Sequence, residues 1–589
     1  MRSLFGLVSV ATVIFAQPLG AQTRDIDRAG ARVTALADEY EHEFKRTFPA
    51  LAELYGFTDM PRDRFDANTP AALRAWRARE DRWAIALDRI DGAGLWGRTE
   101  WVTYGYLREA LVAAQGLRVC HMEWWPVQHM SGWHTSLRTL AEGQPVGTPA
   151  ARRDAITRWS SLPQWLDVEM ANAREGLRHG YSTPRGVVNL VQRQLEGLLA
   201  LPDTAWPVWS PAARDSSLEF RAAWRRLLAE QLRPAVTRYR DFLVAEYLPY
   251  VRDTLAISAH PNGRACYRAA FRSMTSLDRP PEETFQLGEQ TVARYQAEMR
   301  EVGRRTLGTE NVAALIAALD TAAGARFASR DEALAFARDA VGRARAAVPA
   351  YFGRLPTADV VVEPYPPYLE RGSSDSYSGA STDGSRPATF RINLGRAEQT
   401  SKARAEVTAF HETFPGHHLQ IGIAQTLPVH PISRLVGSGA FVEGWARYAE
   451  GLAEEMGLYR TPLAAIARRA WPAHGMVADV GLHVMGWSPE RAAAYMAEGR
   501  LVPPGTEMEL MVMRSAVWPG QLTAYDTGAL EIRALREEAE RALGPRFDLK
   551  AFHDRVLAYG AVTLPMLRES ITRWIAEQRD PPTRTPERR

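Results

Sequence analysis

The chain has 589 residues, 46% of them hydrophobic and 24% charged, with a formal net charge of +3. Such a chain can bury a large core, and its balance excludes an intrinsically disordered protein. A charge this close to neutral leaves no electrostatic footprint for nucleic acid or an anionic membrane, so neither is expected as a partner.

The first stretch, "MRSLFGLVSVATVIFAQPLGAQTRD", has Arg2, then an apolar run from Leu4 to Phe15, then small residues at Gly20 and Ala21. This is the pattern of a secretory signal peptide over 1–21, cut after Ala21. No cysteine follows the cut, so no lipobox is expected and the mature chain is placed in the periplasm or medium. No later run of about 18 apolar residues would cross a bilayer. Cys120 and Cys266 are the only cysteines. In an oxidising compartment they can pair if their α-carbons come within roughly 7 Å, although two thiols buried apart would look the same.

Beyond the signal most of the chain has helical periodicity. Residues 24–47, 70–91, 98–117, 215–247, 283–306 and 331–347 repeat apolar positions at three and four. Proline- and glycine-rich connections fall at 141–150, 201–213 and 277–283. One helical unit over 22–577 is expected, with an N-terminal part at 22–275, a C-terminal part at 276–577 and a disordered tail at 578–589. Residues 358–394 differ. "TADVVVEPYPPYLE" and "ATFRINL" have strand character around a long polar loop, "RGSSDSYSGASTDGSRP", which predicts a small sheet just before the next helix.

That helix carries the chemistry. Ser401 can cap it, Val407, Phe410 and Phe414 face inward, and "HETFPGHH" begins at His411. In H-E-x-x-H two histidines one turn apart bind zinc and the glutamate is the general base. Here Pro415 occupies the fifth position and the histidines arrive late, at His417 and His418. In a straight helix His417 would lie about 120° from His411, and His418 would share its face but sit about 10.5 Å along the axis. Neither suits ligands that must each approach zinc to about 2.0–2.1 Å. Proline removes a helical hydrogen bond, so a kink or two-residue bulge at Pro415 and Gly416 is expected to bring His417 into place. His417 is the preferred ligand and His418 its competitor. Glu443, on the next helix, completes a His₂Glu set, with Glu450 less suited. An earlier His-Glu pair, His42 and Glu43, has Arg46 where a histidine would be needed and reads as solvated helix.

"HETFPGHHLQ" resembles the motif H-E-x-x-P-G-H-H-x-Q of the bacterial domain-of-unknown-function 885 family, grouped with zincin-type metallopeptidases. "CYRAAFRSMTSLDRPPEETFQLG", "GAFVEGWARYAE", "DVGLHVMGWSPERAAAYM", "VWPGQLTAYDTGAL" and "FHDRVLAYGAVTLPMLRESI" are similar to family segments in the same order. The resemblance implies a mainly α, zincin-like (gluzincin-type) fold with the small sheet beside the metal-site helix. It also implies a zinc-dependent peptidase acting on a peptide or small amide, with one Zn²⁺ on His411, His417 or His418, and Glu443. Glu412 would be the general base. Tyr525, His483 and Arg514, in or near family-like segments, are candidates to stabilise the oxyanion, ahead of Gln521 and His553. The same ligands would serve a hydrolase of non-peptide amides or esters, and a metal-free binding protein could keep the shell.

Overall fold

A computed structural model describes residues 19–366, 370, 374–381, 386–499 and 506–579. Most of the signal-like segment, and the tail from 580, lie outside them. The helices follow the apolar periodicity: α1 (Leu19–Thr47), α2 (Pro70–Leu87), α3 (Thr99–Leu117), α4 (Leu218–Leu227), α5 (Arg233–Phe242), α6 (Gly263–Thr275), α7 (Pro281–Thr306) and α8 (Arg330–Ala347). The expected helix at 215–247 is one rod interrupted by π turns at Leu228–Leu232 and Leu243–Tyr247. Each π turn lies just before a proline, Pro234 or Pro249, whose missing N–H cannot continue the ordinary helical ladder.

The sheet has three strands, β1 (Val360–Pro364), β2 (Ser376–Ser378) and β3 (Ala388–Ile392), in the order β1-β3-β2. β1 runs parallel to β3, with Val362 opposite Phe390, and β2 runs antiparallel to it, with Tyr377 opposite Phe390. β2 falls inside the stretch expected to be loop. Its residues are polar and lack apolar alternation, so only pairing with β3 reveals it. Among the described residues it is an edge strand of the sheet.

Then follow α9 (Lys402–Glu412), α10 (His417–Ala424), α11 (Gly439–Glu455), α12 (Ala464–Ala470), α13 (His474–His483), α14 (Thr506–Val517), α15 (Gln521–Leu543) and α16 (Leu564–Arg579). Ser401 stands at the start of α9 without a capping bond, a correction to the expected cap. The largest apolar core gathers Tyr40, Trp76 and Leu107 with Phe410, Trp445, Ile532 and Leu567, behind the helices that carry the histidines. A second core, around Trp159, Trp224 and Tyr239, holds the helices between residues 127 and 251 together. Cys120 and Cys266 form a disulfide, with α-carbons 4.7 Å apart, in a third core that also contains Trp125 and Tyr267. No helix among the described residues is long and apolar enough to cross a membrane.

Candidate metal centre

The interruption expected at Pro415 is a complete break. α9 stops at Glu412 and α10 starts at His417. Gly416 N–H donates to Phe410 O at 3.1 Å and Leu419 N–H to Thr413 O at 3.4 Å, so each bond spans six residues in place of four. That is the two-residue bulge the histidine spacing requires. Trp445 Nε1 donates to Pro415 O at 2.9 Å and fixes the bulge from α11. Only glycine fits at 416, because a Cβ there would lie 1.9 Å from His411 O.

The consequence is convergence. His411, His417 and Glu443 each offer one ligand atom, and these atoms all lie within 4.8 Å of one another. His411 Nε2 and His417 Nε2 are 3.7 and 3.6 Å from Glu443 Oε2. The two rings stand edge to face, with centroids 4.8 Å apart.

Glu450 is not among these ligand atoms. Its Oε1 lies 2.9 Å from His411 Nδ1, and both its oxygens accept from Arg447 Nη1, at 2.8 and 2.7 Å. Burial opposes ionisation of Glu450, but Arg447 and then His411 outweigh it, holding its pKa below the ordinary value. The ionised carboxylate therefore accepts the Nδ1 proton and leaves Nε2 facing Glu443. Burial alone would lower the His411 pKa; contacts with Glu443 and Glu450 instead push it up to about 10. Glu443, which burial would raise, is held well below the carboxylate range by the two histidines. The two shifts have one cause, the ionised Glu443 and the imidazoles beside it favouring each other's charged forms. Glu450→Gln is expected to weaken metal binding by about 10–100-fold, read by competition with a chelator. Unchanged affinity would mean that this carboxylate does not orient the ring.

A cleft of about 300 Å³ opens over the triad, lined also by Asp375, Ser376, Tyr377, Glu412, Ile421, Val442 and Tyr525. The β2 edge forms one wall. Burial raises the Glu412 pKa, against the pull of His411 and His417. His418 lies outside the triad. Its ring is fully buried behind the site, with Nδ1 3.0 Å from Tyr377 Oη and Phe414 packed edge-on against it. It ties β2 to α10.

Tyr525 reaches the cleft because α11 and α15 meet backbone to backbone. A Cβ on Gly528 would lie 1.7 Å from Ala440 O, and one on Gly444 2.5 Å from Gly528 C. Arg514 Nη2 and Gln521 Nε2 donate to Tyr525 Oη at 3.1 and 3.3 Å. The oxygen accepts twice, so its own proton remains free to donate into the cleft. Arg514 is thus brought to the site through Tyr525 and does not line it. His483 is elsewhere, fully buried, with Ile257 N–H donating to Nδ1 at 3.0 Å and Ser515 Oγ 3.0 Å from Nε2. Burial lowers its pKa to about 3. His553 is likewise internal, bonded to Tyr448 Oη and Tyr351 O. Glu450 was expected only as a less suited ligand; its bond to His411, and the presence of Asp375 and Ser376 in the cleft, were not anticipated. The seven-residue spacing from Glu443 to Glu450 was the only available signal, since it puts both on one face of α11.

Residues 49–571 match the family described as bacterial protein of unknown function (DUF885). Among solved structures, a candidate lipoprotein from Colwellia psychrerythraea is similar at 22% identity and a TM-score of 0.81, over 94% of this chain and 99% of that one. A candidate lipoprotein of unknown function from Shewanella oneidensis is similar at 19% identity and a TM-score of 0.75, over 91% and 99%. These likenesses establish the fold. No curated protein matches the chain.

Proposed function

The chain belongs to the DUF885 family, and on that premise we propose that it is an exported, zinc-dependent peptidase with a zincin-like, gluzincin-type helical fold. The observation that carries the reading is the convergence of His411, His417 and Glu443 on one cleft with Glu412 and the edge strand β2. Ligand atoms about 2.0–2.2 Å from a tetrahedral zinc stand roughly 3.3–3.6 Å from one another. The two separations to Glu443, 3.7 and 3.6 Å, are close to that edge, and the donor set of two imidazoles and one carboxylate leaves a fourth position open. The Cys120–Cys266 disulfide supports export.

Zinc held by His411, His417 and Glu443 would supply a Lewis acid for the scissile carbonyl and a lowered pKa for a water at the open position. Glu412, turned about 100° from His411 on the helix and lining the cleft, would take a proton from the attacking water and pass it to the leaving nitrogen. Tyr525, positioned by Arg514 and Gln521, donates its hydroxyl proton towards the carbonyl oxygen as charge develops. The edge strand β2 offers its outer backbone groups to an extended substrate, which selects peptides over compact esters.

Two such main-chain bonds, at about 1 kcal/mol each, favour an extended peptide by roughly 30-fold in kcat/KM. A panel of peptides against simple amides and esters, with zinc-loaded protein, measures this directly. Esters without peptide groups turning over as well as peptides would remove the peptide half of the reading.

A further inference from the structure

A larger cavity, of about 440 Å³, lies between α11, α12 and α15 and shares no lining residue with the cleft. Gly451 lies in its wall, eight residues past Glu443 on α11 and so about 12 Å further along the axis. Two guanidinium groups converge over this glycine: a Cβ there would stand 3.4 Å from Arg533 Nη2 and 3.7 Å from Arg468 Nη1. Arg468 is 7% exposed and is anchored through its other nitrogens, with Nε and Nη2 at 2.7 and 2.6 Å from Glu454 Oε2. Arg533 donates through Nη1 to Tyr295 Oη at 2.7 Å and has no carboxylate within salt-bridge distance among the described residues.

The remaining charges are mostly matched. Arg469 pairs with Glu298 and Glu454, and Arg536 with Glu455 and Glu540. Glu537 is the exception, since its recorded partner is Arg541 at 3.9 Å. It lies one turn from Arg533 on α15, the spacing at which such residues ordinarily pair, yet the two form no ion pair.

We propose that this cavity is a second ligand site, which takes a free amino acid. The α-carboxylate sits over Gly451 on Arg468 Nη1 and Arg533 Nη2, and the ammonium faces Glu537. Paired guanidinium edges are the chemistry of oxyanion recognition. Glu454, Glu455, Glu537 and Glu540 around them disfavour a dianion such as phosphate and accommodate a zwitterion. This assignment is independent of the peptidase reading.

The test is titration calorimetry of the full mature protein with glycine, alanine and inorganic phosphate, beside Gly451→Ala and Arg533→Gln. The new methyl of Gly451→Ala would stand 3.4 and 3.7 Å from the two guanidinium nitrogens and narrow the space left for a carboxylate between them and the helix. The unliganded melting temperature of this variant should be no lower than that of the parent, because alanine is the better helix former. The amino acids should bind, phosphate more weakly, and both variants should lose at least about tenfold in affinity. Absence of amino-acid binding to the parent overturns the proposal. So does Gly451→Ala binding as well as the parent, which would place the ligand outside this cavity, and so does phosphate binding more tightly than either amino acid.

Discussion

Replacing Glu412 with glutamine is expected to remove peptide hydrolysis while leaving the metal in place. Glu412 is outside the ligand triad, so the isosteric change takes nothing from His411, His417 or Glu443. It does take away the group in the cleft best placed to accept a proton from the attacking water. General-base assistance is worth about 10²–10⁴-fold, and kcat should fall by that much with metal stoichiometry unchanged. Asp375 also lines the cleft, but it accepts Asn393 N–H at 2.7 Å at the foot of β2 and has no contact with the triad among the described hydrogen bonds. A Glu412→Gln protein that kept full activity would show that the proton goes elsewhere.

The second large effect separates two adjacent histidines. His417→Ala removes one of three ligands and should cost more than about 100-fold in metal affinity, beyond the 10–100-fold typical of a supporting residue. His418→Ala should keep the metal, because its ring faces Tyr377 behind the site. Its expected defect is a raised KM, since β2 loses the bond that ties it to the cleft. Metal analysis after dialysis against a chelator distinguishes them. Retained metal in His417→Ala together with loss in His418→Ala would reverse the assignment.

Much of this site was legible from spacing alone. Two histidines six residues apart cannot share a face of a regular helix, and Pro415-Gly416 supplies the two extra residues that the bulge absorbs. The helices were legible for a similar reason, because burial against one core imposes a three-four repeat on residues such as Tyr40 and Phe44. What sequence hid was relational. β2 is polar and exists through its pairing with β3, and Glu450 matters because α11 packs against α9, which no local pattern records. His483 lies in a family-like segment, yet its two ring nitrogens are spent on Ile257 and Ser515 in the core.

Anomalous diffraction at the zinc absorption edge, from crystals of zinc-loaded protein, tests the central claim most directly. A single peak is expected about 2.0–2.2 Å from His411 Nε2, His417 Nε2 and a Glu443 oxygen, with the fourth position facing the cleft. A fully loaded crystal with no peak between those three side chains, or with the peak on His418, would contradict it.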